Sequence, residues 1–184
     1  GQSAWKNPYQ DVTDSSSYYE AVCYVTEKGL MNGTSASTFS PDAAMTRAMM
    51  VTILWRMEKE PAALKSNFTD LTADWYRTAV DWAAGTGVGK GGGNRKFAPN
   101  ATLSLEQLIT ILYRYAENKG YNVSKSASLD SFTDGSAVSA YARPAMQWAV
   151  GMNFLSGNTL TPGAPASRAQ IAQVLMLFCK AYIK

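Results

Sequence analysis

Two arginines stand where local stability would not put them. Arg47 and Arg168 each follow a hydroxyl residue, Thr46 or Ser167, and open an apolar stretch of helical period. Thr46 and Ser167 have the chemistry of an N-cap, so each guanidinium falls on the first residue of a helix, where the macrodipole disfavours a cation by roughly 0.3 to 1 kcal/mol. The third equivalent place holds Leu105, so the helix start itself does not demand arginine. A guanidinium beside helix N–H groups makes a receptor for a carboxylate or phosphate, with bidentate geometry available. The other reading is a salt bridge to Asp14, Asp134 or another acid. Asp14, Asp70 and Asp134 each open a turn ahead of a helix, either satisfying local backbone N–H groups or orienting an arginine or a ligand hydroxyl. Trp75 and Tyr141 stand just before a helix, as groove wall or as packing. Gly33, Gly91 and Gly157 either supply a turn with positive φ or leave room for a ligand against the backbone.

The same inventory limits catalysis. The 184 residues include two cysteines and no histidine, which removes Ser-His-Asp and Cys-His activation, mixed Cys/His zinc sites and tetrathiolate sites. Paired carboxylates remain, yet these acids recur at equivalent places, which gives no reason for the unlike environments acid/base work requires. The expectation is a chain with no catalytic residue, no metal and no cofactor. Gly85 to Gly93 suggests a nucleotide loop, but Ala84 and Gly91 break the P-loop spacing. Gly87, Gly89 and Gly92 follow a helix where a dinucleotide site needs a strand. A net charge of +3 with 17% charged residues makes no dense basic stripe for nucleic acid. No apolar run approaches the ~18 residues of a membrane span. The start at Gly1, without Met, reads as a segment of a longer chain. Cys23 and Cys179 sit among apolar residues, as two buried thiols or as a disulfide joining the first and last helices.

The elements that must position these residues come in three copies with a period of about 60 residues. Val12-Thr13-Asp14, Ala21-Val22, Gly29-Leu30, Gly33, Phe39-Ser40-Pro41 and Met45-Thr46-Arg47 return as Phe68-Thr69-Asp70, Ala79-Val80, Gly87-Val88, Gly91, Phe97-Ala98-Pro99 and Leu103-Ser104-Leu105. They return again as Phe132-Thr133-Asp134, Ala145-Met146, Asn153-Phe154, Gly157, Leu160-Thr161-Pro162 and Ala166-Ser167-Arg168. Each copy reads as helix, glycine-bearing loop, helix. The first helix carries stripes such as Tyr76, Ala79, Val80 and Ala83, and Gly29, Gly87 or Asn153 suits its left-handed end. Ser104 with Gln107, and Ser167 with Gln170, spell capping boxes, whereas Thr46 caps alone. The second helices are the most apolar stretches, so the predicted fold is all-α, with three helix-loop-helix units in pseudo-threefold arrangement around a central three-helix bundle. The boundaries are an extension at 1–8 and repeats at 9–62, 63–127 and 128–184, joined by polar links at 60–67 and 120–129.

Phe-x-Asp, an Ala-rich helix with Trp, Gly-x-x-x-Gly, Phe-x-Pro and Thr-Arg-Ala at a helix start, repeated over residues 9 to 184, resembles a tandem of S-layer homology repeats. The resemblance implies a non-catalytic, three-pronged module of an extracellular surface protein, anchoring it to the secondary polysaccharide of a Gram-positive-type cell wall. It implies an acidic ligand, often a pyruvylated amino sugar, held in grooves between repeats with the motif's arginine as a principal contact. On that basis Arg47 and Arg168 with their caps Thr46 and Ser167 bind the acid, Leu105 weakens the middle copy, and Lys90, Arg95 or Lys96 compensates there. Trp75 and Tyr141 supply a face on which a pyranose stacks. The alternative is a structural module whose copies associate laterally into a surface lattice, for which exposed methionines and aromatics would speak.

Overall fold

The computed structural model describes residues 5–183; the first four residues of the expected N-terminal extension, and Lys184, lie outside the described residues. In chain order the helices are α1 (Tyr19–Glu27), α2 (Arg47–Met57), α3 (Asp74–Thr86), α4 (Leu105–Asn118), α5 (Arg143–Gly151) and α6 (Arg168–Tyr182). Two short 3-10 turns, Gly135–Ala137 and Ala140–Ala142, precede α5, and no strand occurs among the described residues. The chain is all-α, as the periodicity predicts. It divides into two compact units, residues 1–44 with 167–184, and residues 45–166.

In the first unit α1 packs on α6. Ala21, Val22 and Val25 of α1 and Ile171, Val174, Leu175 and Phe178 of α6 are buried, the one-sided stripes their spacing requires. In the second unit α2 packs on α3, α4 on α5, and α2 touches α4. The three most extensive helix pairs, α2 with α3, α4 with α5 and α6 with α1, therefore each join the second helix of one copy to the first helix of the next, the third copy being followed by the first. No copy buries its own apolar faces, which is why the repeat is a unit of sequence and not of packing.

Local rules set the helix ends. Gly29 (φ 69°), Gly87 (φ 80°) and Asn153 (φ 61°) take the expected left-handed conformation after the first helices. Thr46, Ser104 and Ser167 each accept the N–H three residues on with the side-chain oxygen. Only Ser104 completes a capping box, its N–H donating to Gln107 Oε1 at 3.0 Å; Ser167 caps α6 without the return bond expected of Gln170. The links are pinned to their neighbours. Asp81 Oδ1 accepts from Ser66 N (3.1 Å) and Oγ (2.6 Å), and Trp55 Nε1 donates to Pro61 O (2.9 Å). Cys23 and Cys179 are free thiols, and burial pushes the Cys179 thiol up to about 11.

Candidate ligand-binding groove

The loop between the helices of each copy is built on one aspartate. Asp70 accepts from Phe97 N (3.0 Å) and Ala98 N (2.8 Å), and Asp134 from Leu160 N (2.8 Å) and Thr161 N (2.7 Å). The counterpart in the first copy is Asp11, accepting from Phe39 N (2.9 Å) and Ser40 N (2.8 Å). Asp14, aligned with Asp70 and Asp134 in sequence, is exposed three residues further on and is not the counterpart. The signal that identifies Asp11 is Tyr9, which packs on Phe39 at 5.4 Å as Phe68 packs on Phe97 at 5.3 Å. Ser40, Ala98 and Thr161 all have positive φ (56°, 58° and 45°), a conformation costly for residues with a Cβ. The bidentate carboxylate holds that turn in place. Burial raises the Asp70 carboxyl, and the N–H groups of Phe97, Ala98 and Asp70 together outweigh it, so its pKa lies below the ordinary value; Asp11 behaves alike. At Asp134 the N–H groups of Leu160 and Thr161 are the leading cause of the same lowering.

Held this way, the Phe-x-Pro segment caps the second helix of the preceding copy. Pro99 O accepts from Ala48 N (3.0 Å) and Ala101 O from Arg47 N (3.0 Å) at the start of α2. Pro162 O accepts from Glu106 N (3.0 Å) at α4, and Pro41 O from Ala169 N (2.9 Å) at α6. The helix N–H groups that the sequence offers as an anion receptor are thus already bonded to protein.

The arginine side chains complete this clamp. Arg47 Nε donates to Phe97 O (3.0 Å) and Nη2 to Lys90 O (2.8 Å), with the guanidinium 4.8 Å from the Phe97 ring centroid. Arg168 Nε donates to Phe39 O (2.8 Å) and Nη2 to Asn32 O, over the Phe39 ring at 4.7 Å. Among the described residues neither forms an ion pair. Leu105 replaces this device with a buried apolar contact, 2% exposed.

Beside Arg47 the second unit has a groove of about 450 Å³ whose lining includes Arg47, Lys90, Gly91, Gln107, Arg114 and Tyr141. Arg47, Gly91 and Tyr141 are thereby brought together from three different copies. Lys90 serves this groove and not the Leu105 position. Arg114, which the sequence analysis did not single out, faces the groove from α4 two helical turns beyond Gln107; that spacing, with Thr110 and Ile111 between, is the signal for it. Arg114 has no hydrogen-bond or ion-pair partner among the described residues. Burial lowers the Arg47 guanidinium, and the like charge of Arg114 adds to the effect. Arg47 remains a cation at neutral pH, and no Asp or Glu lines the groove. Tyr141 is 55% exposed at its wall; burial raises its phenol, as does the charge of Glu106.

The other expected residues lie elsewhere. Trp75 is 52% exposed outside this groove, its ring against Tyr76 at 5.0 Å. Thr46 and Ser167 spend their oxygens as caps. A Cβ on Gly33 would meet Tyr9 Cε1 at 2.5 Å, and one on Gly91 would meet Phe68 Cε1 at 2.6 Å and overlap Lys96 O. These two glycines permit close approach without positive φ. Gly157 instead has φ +103° with open space around it.

Comparison with known proteins bears on what this scaffold is. The family model described as "S-layer homology domain" matches residues 8–49, 67–109 and 131–172. The chain is 30% identical over 175 residues to an endoglucanase of Bacillus sp. (strain KSM-635), covering 91% of this chain and 18% of that protein. It is 29% identical over 162 residues to the surface-layer 125 kDa protein of Lysinibacillus sphaericus, covering 84% and 13%. With a cellulosome-anchoring protein of Acetivibrio thermocellus it shares 28% over 129 residues, covering 65% and 29%. The chain spans less than a third of the length of each of these relatives. One of them is named as an enzyme, one as a surface-layer protein and one as an anchoring protein, so the matching segment occurs in proteins of different kinds. Three tandem matches on three copies of one helical unit make this chain a member of the S-layer homology domain family, a cell-surface anchoring module.

Proposed function

We propose that the groove beside Arg47 binds an acidic sugar unit of the secondary cell wall polysaccharide, and that the chain acts as a non-catalytic anchor for a larger surface protein. The observation that carries this reading is a groove with three cationic residues, Arg47, Lys90 and Arg114, and no lining acid. Like charges facing one another are unfavourable until an anion neutralises them, and a carboxylate such as that of a pyruvyl acetal fits the fork of Arg114. The groove's volume suits a monosaccharide unit, and Tyr141 offers an exposed face to a pyranose ring. Arg168 repeats the clamp with Asn32 and Phe39, and Leu105 leaves the middle copy without it.

Titration calorimetry with a synthetic pyruvylated N-acetylmannosamine tests this. Wild type is expected to bind, and Arg114→Ala to lose about 10- to 100-fold in affinity, the worth of one charge-assisted contact. Unchanged affinity in an Arg114→Ala, Tyr141→Ala double variant overturns the reading. Lateral association is the second reading, supported by Met49, Leu64 and Trp75, which are 39%, 92% and 52% exposed; its signature is concentration-dependent assembly without glycan.

A further inference from the structure

Glu106 is a carboxylate that the fold does not need. It is the second residue of α4, where the equivalent residues of α2 and α6 are Ala48 and Ala169. A favourable helix dipole would be satisfied by an exposed acid, yet Glu106 is only 7% exposed. Burying a carboxylate is unfavourable unless its oxygens are bonded. Both are. Glu106 Oε2 accepts from Ser139 N at 2.9 Å and Oε1 from Ser139 Oγ at 2.6 Å.

Ser139 is the residue that starts the 3-10 turn Ala140–Ala142, its carbonyl accepting from Ala142 N at 3.0 Å. Tyr141 is the centre of that turn, and its hydroxyl has no hydrogen-bond partner among the described residues. Packing alone does not hold a ring that is 55% exposed. The side chain of Glu106 thus ties the turn that carries Tyr141 to the helix that carries Gln107 and Arg114, and so fixes the spacing between the aromatic wall and the free guanidinium. A three-residue turn without that tie would have to be ordered when ligand arrives, at a cost to affinity.

We propose that Glu106 is a positioning residue for ligand recognition: through Ser139 it holds Tyr141 at the distance from Arg114 that an acidic sugar requires. This rests on the reading of the groove given above. It predicts that Glu106 and Tyr141 act as one unit.

The test is a double-mutant cycle on the full chain, by calorimetry with synthetic pyruvylated N-acetylmannosamine. Glu106→Ala is expected to weaken binding about 10-fold in wild type and less than about 2-fold in a Tyr141→Ala background, since coupled residues are not additive. Glu106→Gln is expected to restore binding to within about 3-fold, because its amide oxygen accepts from Ser139 N and its NH2 donates to a rotated Ser139 hydroxyl. Ser139→Ala, which removes only the hydroxyl, is expected to lie between the two, and thermal melts verify that each variant folds. A readout independent of ligand is NMR relaxation of the Tyr141 ring, which becomes more mobile in Glu106→Ala and returns to wild-type values in Glu106→Gln. Equal losses in both backgrounds, or an unchanged ring, overturn the proposal. If Tyr141→Ala weakens binding and Glu106→Ala does not, the positioning role fails and the groove stands; if Tyr141→Ala and Arg114→Ala both bind like wild type, the groove reading fails and takes this one with it.

Discussion

Replacing Arg47 by alanine should cost stability before it costs binding. The Nε donor reaches a part-buried carbonyl at 3.0 Å and Nη2 a more exposed one at 2.8 Å. Hydrogen bonds from charged groups contribute about 1.5 to 3 kcal/mol, the exposed one toward the low end, and a guanidinium over a phenyl ring adds about 0.5 to 1 kcal/mol. Without assuming full additivity, the loss is about 2 to 4 kcal/mol. For a chain of this size that corresponds to a melting temperature lowered by about 4 to 16 °C. Lysine keeps the charge but reaches one carbonyl, so Arg47→Lys should fall roughly midway. Arg114→Ala, which removes no protein hydrogen bond, should melt within the ±0.5 kcal/mol or so usual for surface changes. Scanning calorimetry on the three variants checks the set. An Arg47→Ala protein that melts within about 1 °C of wild type would refute the clamp, and with it the division of labour between a structural arginine and a receptor arginine.

Acidification should loosen all three loops. Asp11, Asp70 and Asp134 have native pKa values below the ordinary 3.8, so their contribution is complete above about pH 4 and is lost as pH falls through the lowered values; thermal melts between pH 6 and 2 should decline over that window, and Asp70→Asn should flatten part of the decline. Gly91→Ala should lose about 1 to 3 kcal/mol in urea unfolding, because its Cβ would overlap Lys96 O and Phe68 and the loop must shift to admit it.

Helix positions and the left-handed residues Gly29, Gly87 and Asn153 were legible because local backbone chemistry decides them. The pairing of helices across copies was not, since each apolar stripe says that a partner is needed without saying which. The same holds for the site. Arg47 and Tyr141 stand out in sequence by being unfavourable or unexplained in place, and both reach the groove. Arg114 hides among the apolar residues of α4, where a single cation looks like an ordinary solvent-facing one. The first copy's aspartate was misaligned because Tyr9 stands where Phe68 and Phe132 stand, and the Phe signature therefore skips Asp11. The free helix N–H groups expected beside Arg47 are taken by carbonyls of Pro99 and Ala101, a long-range contact that no local pattern announces.

The pairing of α1 with α6 also sets a schedule. Lys180 and Glu20, bonded at 2.9 Å, are 160 residues apart. At synthesis rates of about 5 to 20 residues per second, the second of the pair follows the first by about 8 to 32 s. Through that interval Ala21, Val22 and Val25 have no helix to cover them, so α1 waits in an unfinished state longer than any other element. Truncating the last turns of α6 would therefore be felt first at the opposite end of the sequence, as exposure of α1 to proteases and holding chaperones.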